Sequence, residues 1–253
     1  MTHSNVATNM ANRIAVVTGG SSGIGSAIVN RFVINGSKVI SIDLKKPEIE
    51  IGNVQHFDCD LTDEGAVSQA FKEIAKLHPQ IDVLCANAGI VPSWSRIIDT
   101  SFSDWKKVID INVNALFLTI SHGATLLKKG SGTVVVTGSI NSIKGDPNIA
   151  SYVASKHAAL GIIKSAALDL GRDGIRVNGV APGPIATKAL ISRIEKRLTE
   201  NDGSLDDYLA KIASQTALGR IATEAEVINT IEFLALEASS GITGQLISVD
   251  CGA

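Results

Sequence analysis

The chain has 253 residues, 45% of them hydrophobic and 19% charged, with a net charge of −2. That length and balance exclude a disordered protein and suit one α/β domain with a sizeable core. A slightly acidic chain offers no basic face to nucleic acid, and it holds no run of about 18 apolar residues to cross a membrane.

Met1 to Asn12 is polar and lacks the basic-then-apolar pattern of a signal peptide, so residues 1–12 are expected to form a disordered leader and 13–253 a single domain. Cys59, Cys85 and Cys251 form an odd, widely spaced set without C-x-x-C or a Cys/His cluster. Neither a disulfide framework nor a metal site is expected, and a reducing, cytoplasmic setting follows. Aromatic content is 4%, so the interior is aliphatic, as a buried parallel sheet prefers.

Ile14–Val17 is a β-branched run and reads as a strand buried on both faces. Thr18-Gly19-Gly20-Ser21-Ser22-Gly23-Ile24-Gly25 follows, then a helical pattern closed by Gly36, then a second strand, Lys38–Asp43. Strand, glycine turn, helix and strand make a βαβ unit. The glycines let backbone approach a pyrophosphate, and the helix start offers unpaired N–H groups and a positive dipole end. Asp43 stands eighteen residues beyond Gly25. A carboxylate there accepts from the adenosine ribose hydroxyls and repels a 2′-phosphate, which favours NAD over NADP. Lys45 and Lys46 read as solvated turn residues before Pro47.

Val54–Cys59 is the third strand, ending in Asp60-Leu61, and Thr62 is expected to cap the helix that runs to Leu77. Ile81–Ala86 is the fourth strand, ending in Asn87-Ala88-Gly89. Ser103-Asp104-Trp105 is expected to open a long helix with Val108, Ile111, Ala115, Leu116 and Phe117 as its inner stripe. Asn112 and Asn114 are mediocre helix formers inside that pattern and ask for a reason, such as a side chain paired across a buried interface. Gly132–Thr137 is the fifth strand, leading to Gly138-Ser139-Ile140-Asn141.

The next helix carries Tyr152 and Lys156, four residues apart and so on one face. A neighbouring ammonium stabilises a phenolate, and a tyrosine so tuned can work as general base or acid. Arg176–Ala181 is the sixth strand, ending in Pro182-Gly183. Residues 185–218 then break the alternation with charged, helix-prone sequence and a Glu200–Ser204 gap. They follow a strand's carboxyl end, where ligands bind in open α/β sheets. They read either as a small helical lid over the substrate or as a surface excursion that helps assembly. Glu224–Leu236 is another helix and Gln245–Asp250 the seventh strand. The whole predicts a single-domain, Rossmann-type α/β fold: a doubly wound, parallel, seven-stranded sheet with helices on both faces.

The residues so assembled resemble the short-chain dehydrogenase/reductase family from Arg13 to Ala253. Thr18-Gly19-x-x-x-Gly23-x-Gly25 looks like its cofactor loop, Asp60-Leu61 like the pair beside the adenine, and Asn87-Ala88-Gly89 like the motif after its fourth strand. Asn112, Ser139, Tyr152 and Lys156 match its catalytic tetrad, with Ser139 thirteen residues before Tyr152. Pro182, Gly183 and Thr187 are similar to the segment at the nicotinamide end, and Thr243-Gly244 and Val249-Asp250-x-Gly252 to its closing signature. Ala86 and Cys251 depart from the pattern, where asparagine and glycine are usual.

The resemblance implies an NAD-dependent oxidoreductase that interconverts a secondary alcohol and its ketone. Tyr152 serves as base or acid and Ser139 holds the substrate oxygen. Lys156 binds the nicotinamide ribose, and Asn112 holds a helix kink and a relay water. Ser21, Ser22, Ile24 and Ile185 join the cofactor positions, and a homotetramer is implied. By position, Val91, Trp94, Ile140, Asn141, Ile149, Ile185 and Leu190 line the substrate pocket. They are mostly apolar and lack clustered arginines, so a small, rather hydrophobic alcohol or ketone is expected. An NADP-dependent 3-ketoacyl reductase and a catalytically silent nucleotide-binding regulator are the alternatives; Asp43 weighs against the first and the complete tetrad against the second.

Overall fold

Every strand pairs in parallel in one seven-stranded sheet of order β3-β2-β1-β4-β5-β6-β7 in the computed structural model, which describes residues 10–47, 52, 54–195, 198 and 203–253. The strands are β1 Ile14–Thr18, β2 Lys38–Asp43, β3 Val54–Asp58, β4 Val83–Ala86, β5 Thr133–Thr137, β6 Arg176–Pro182 and β7 Leu246–Val249. The order reverses between β1 and β4, which opens a crevice outside the carboxyl ends of these strands. The doubly wound single-domain expectation therefore holds.

Helices α1 (Gly23–Ile34) and α8 (Glu224–Ala235) cover one face, packing Ile28, Val29, Phe32, Val227, Ile231 and Leu234 onto Ala15, Val17 and Val39. Helices α2 (Glu64–Leu77), α4 (Ala115–Gly123) and α5 (Ala150–Gly171) cover the other, packing Val67, Phe71, Ile120 and Ile163 onto Val16, Ile40 and Val134. Both faces of the inner strands β1, β4 and β5 are covered, which is why these read as unbroken aliphatic runs. Cys59 and Cys85 are buried among them.

Five local expectations are corrected. Residues 1–9 lie outside the described residues, but Met10 is fully buried in the α1 face of the core. Its carbonyl accepts from Ser37 Oγ at 2.7 Å, so the expected leader does not extend to Met10–Asn12. Asp63, not Thr62, caps α2, accepting from Ala66 N at 3.0 Å, because Thr62 spends both its N–H and its hydroxyl on Asp60. Ser101 rather than Ser103 starts α3 (Phe102–Ile109), accepting from Asp104 N.

The expected long helix is interrupted. A wide π turn, Asp110–Asn114, separates α3 from α4, and Ala115 N donates to Asp110 O, five residues back. From Asn112 within it onward, the inward stripe is Asn112, Ala115, Leu116, Thr119 and Ile120, while Phe117 is 59% exposed. The region expected as a lid holds α6 (Lys188–Glu195) and α7 (Leu205–Ala213), the latter capped by a reciprocal Ser204–Asp207 pair. Of the expected gap, Glu200–Asp202 lie outside the described residues. Among the described residues no helix is long and apolar enough to cross a membrane.

Candidate active site

The glycine turn is fitted to its surroundings by contacts that leave no room for side chains. Gly19 has φ +67°, and a Cβ there would lie 2.8 Å from Ala88 Cα. A Cβ on Gly25 would sit 1.9 Å from Gly19 O. Asn87 binds the turn from β4: its N–H donates to Thr18 Oγ1, its amide to Thr18 O and Gly19 O, and its Oδ1 accepts from Thr137 Oγ1. One side chain thus ties together the ends of β1, β4 and β5. Ser22 provides no side-chain cap for α1, so the first-turn N–H groups face the crevice without a cap from that residue. That cradle, and a carboxylate at the end of β2, fit a dinucleotide.

The Asp43 carboxylate accepts from Ser21 N at 3.0 Å and Leu44 N at 2.7 Å. Ser21 Oγ donates to Lys45 O, closing the strand end against the turn. Asp60 is held below the usual carboxylate range by the Thr62 hydroxyl and then by the Thr62 N–H.

The opposite end of the crevice is built from β5, the 3-10 turn Ile140–Ser142 and α5. Ser139 caps that turn, and its Oγ accepts from Asn141 N at 3.1 Å. An acceptor lone pair is thereby occupied, and among the described residues the hydroxyl proton of Ser139 has no acceptor. Tyr152 stands in the first turn of α5. Lys156, one turn on, is 7% exposed; its Nζ donates to Thr137 O at 2.8 Å and lies 5.7 Å from the Tyr152 ring centroid. Burial lowers the Lys156 pKa to about 8, so the ammonium persists at neutral pH beside the tyrosine.

Asn112 sits in the π turn and bridges two elements. Its Oδ1 accepts from Ile90 N at 2.8 Å, and its Nδ2 donates to Ile90 O and to Ser155 Oγ at 2.9 and 3.0 Å. Ser155 Oγ in turn donates to Tyr152 O at 2.7 Å. The polar residue inside the apolar helix therefore pairs across a buried interface, joining the loop after β4 to the turn of α5 that carries Tyr152 and Lys156.

A single cleft of about 1740 Å³ connects these parts. Gly19, Ser22, Gly23, Ile24, Asp43, Asp60, Leu61, Asn87, Ala88 and Gly89 line one side of it. Ser139, Asn141, Ile149, Tyr152, Lys156, Trp94, Pro182, Gly183, Ile185, Thr187 and Leu190 line the rest, with Val91 and Ile140. Of the site residues anticipated from sequence, Ser21, Gly25 and Asn112 stand behind this lining. Tyr208 and Ile212 of α7, Gln215 and Asp146 line the cleft without having been anticipated. The four-residue spacing of Tyr208 and Ile212 on a charged helix was the available signal. Among the described residues no cluster of three His, Cys, Asp or Glu side chains is placed to hold a metal.

The Lys156 shift has a measurable consequence. Its folded pKa lies below the ordinary 10.5, so the unfolded chain binds more protons between about pH 8 and 10.5 and stability rises with pH through that window. From about pH 7.5 to about pH 9.5 the wild-type protein should gain about 2 kcal/mol in urea unfolding relative to Lys156→Met. Parallel pH profiles for the two proteins would show that this lysine is not desolvated.

The family profile described as Enoyl-(Acyl carrier protein) reductase matches residues 19–253. Short-chain dehydrogenase reductase 3a of Arabidopsis thaliana is 34% identical over 249 residues, covering 95% of this chain and 94% of its own. Meso-2,3-butanediol dehydrogenase of Serratia marcescens is 30% identical, covering 96% and 94%. Among solved structures, ligand-free aldohexose dehydrogenase of Thermoplasma acidophilum superposes with a TM-score of 0.88 at 31% identity, covering 96% of this chain and 94% of that one. With the fold, the glycine cradle and these relatives in agreement, the chain belongs to the short-chain dehydrogenase/reductase family.

Proposed function

We propose that this protein is an NAD-dependent oxidoreductase that interconverts a small, rather hydrophobic secondary alcohol and its ketone, with Tyr152 as general base and acid. The observation that carries this reading is the continuity of one cleft: Ser139, Tyr152 and Lys156 line one end of it, and the glycine turn and Asp43 line the other. Relatives named as a meso-2,3-butanediol dehydrogenase and a (+)-borneol dehydrogenase support alcohols as the substrate class.

NAD, when bound, supplies the acceptor for a hydride. The chain's own residues bind and orient. The glycine turn and α1 receive the pyrophosphate, and Asp43 accepts from ribose hydroxyls at the end of β2. Ser139 donates its uncommitted proton to the substrate oxygen and fixes the carbinol. Tyr152 takes the carbinol proton in oxidation and returns it in reduction, with the Lys156 ammonium stabilising its phenolate. Asn112, through Ile90 and Ser155, holds that turn of α5 in place.

The deciding experiment is a screen for NADH formation over diverse secondary alcohols. NAD binding without turnover of any of them would favour a silent regulator. A preference for NADPH with a 3-ketoacyl thioester would favour the ketoacyl reductase. Against the latter, the cleft is lined by few cations: Lys156 is buried beneath Tyr152, Arg31 is paired with Glu232 at 3.0 Å, and Lys144 stands at the rim. Asp43→Ala should lower the NAD/NADP ratio of kcat/KM by about tenfold or more, because it removes both the ribose acceptor and the charge that repels a 2′-phosphate. An unchanged ratio would place cofactor choice elsewhere.

A further inference from the structure

Two residues past Ser139, the cleft carries polar groups that the proposed proton transfer does not use. Asn141 is only 5% exposed, yet it lines the cleft. Its backbone N–H donates to Ser139 Oγ, and its Nδ2 donates to Asp146 Oδ2 at 3.3 Å. No described residue donates to Asn141 Oδ1, and Asp146 accepts from no described residue other than Asn141. Asp146 lines the same cleft from the exposed segment before Ile149. A nearly buried amide has thus spent one of its two Nδ2 protons on a carboxylate, leaving its Oδ1 and the rest of the Asp146 carboxylate without described donors among the groups that line the cleft.

The arrangement discriminates by sign. A carboxylate and an amide oxygen with open lone pairs match a hydroxyl, and the Asp146 charge disfavours a second carboxylate or a phosphate. A buried polar group left unpaired by a substrate that lacks the matching group is where an active site discriminates most strongly. Asn141 lies in the turn that Ser139 caps, and its backbone N–H donates to Ser139 Oγ at 3.1 Å, so the two residues stand side by side in the cleft lining.

Resting on the oxidoreductase reading above, we propose that the substrate is a vicinal diol, or in reduction an α-hydroxyketone, on a small apolar skeleton. Its second hydroxyl is held by the Asn141 amide oxygen and the Asp146 carboxylate. Only the carbinol at Ser139 reacts: its O–H proton passes to Tyr152 and its C–H bond breaks with hydride leaving to the nicotinamide. The second hydroxyl donates a hydrogen bond and keeps its proton.

The test compares trans-1,2-cyclohexanediol with cyclohexanol, by NADH formation and, separately, by ligand-observed NMR of binding to the NADH-loaded protein. The diol should exceed the mono-alcohol in kcat/KM by about tenfold or more, as expected for a hydrogen bond to a charged group. In Asp146→Ala and Asp146→Asn that ratio should fall toward one. Asp146 is exposed and caps no helix, so these variants are expected to fold. A wild-type ratio near one, or a ratio that survives both variants, overturns the subsite. A tenfold preference for a 2-hydroxy acid over the diol overturns the subsite, and one for trans-2-aminocyclohexanol overturns the diol as its substrate. Selective diol binding that Asp146→Ala abolishes, with no turnover of either alcohol, would support the subsite and overturn the oxidoreductase reading.

Discussion

Tyr152→Phe is expected to lower kcat for alcohol oxidation by about 10²–10⁴-fold, the range over which a positioned acid or base contributes, while NAD affinity moves by less than about threefold. The substitution deletes one oxygen and keeps the ring on which Lys156 rests at 5.7 Å. The contacts of the glycine turn lie at the far end of the cleft and are untouched. Stopped-flow NADH formation and calorimetric NAD titration on the same preparation separate the two effects. A fall in affinity that matched the fall in turnover would make this tyrosine a structural residue, and the proposed mechanism would fail with it.

Gly25→Ala should fail in the opposite sense, through the cofactor. A Cβ at this position would lie 1.9 Å from Gly19 O and 2.5 Å from Asn87 Nδ2. The first obstacle is backbone and the second is the side chain that ties β1, β4 and β5, so relief requires moving the turn itself. Overpacking of this kind costs about 1–3 kcal/mol or more, and NAD affinity is expected to drop by about a hundredfold, since a pyrophosphate is read by backbone placed to fractions of an ångström. Gly161→Ala, on α5 where nothing lies within 4 Å, supplies the contrast. It should bind NAD normally and gain about 0.5–1 kcal/mol from helix propensity. Normal NAD affinity in Gly25→Ala would show that the turn can shift at little cost.

Between these two ends, the local pieces were readable and the joints were not. Tyr152 and Lys156 were recognisable because four residues on a helix is a fixed distance. The glycine turn was recognisable because a buried strand and a helical pattern bracket it. The π turn at Asp110–Asn114 was not, since one hydrogen bond shifted by a residue leaves no trace in propensity, and Phe117 was consequently assigned to the wrong face. The α2 cap was misplaced by one residue because Thr62 and Asp63 are both good caps, and only the pull of Asp60 on Thr62 decides between them. Tyr208 and Gln215 were missed because each reaches the cleft from a segment far from the motifs in sequence, and Asp146 because nothing in its loop sequence shows that it faces the cleft.

By itself the chain's sequence determined the parallel sheet, through aliphatic runs that can only be buried on both faces, and the chemistry available at Ser139, Tyr152 and Lys156. Tertiary structure alone decided which polar groups remain open in the cleft. Asn141 is an unremarkable turn residue until its backbone N–H is seen to go to Ser139 and one of its Nδ2 protons to Asp146. Asn112 is an awkward helix residue until Ile90 and Ser155 are seen to satisfy it. Hydrogen-bond satisfaction is a property of pairs brought together from distant parts of the chain, and the folded arrangement is what brings them together.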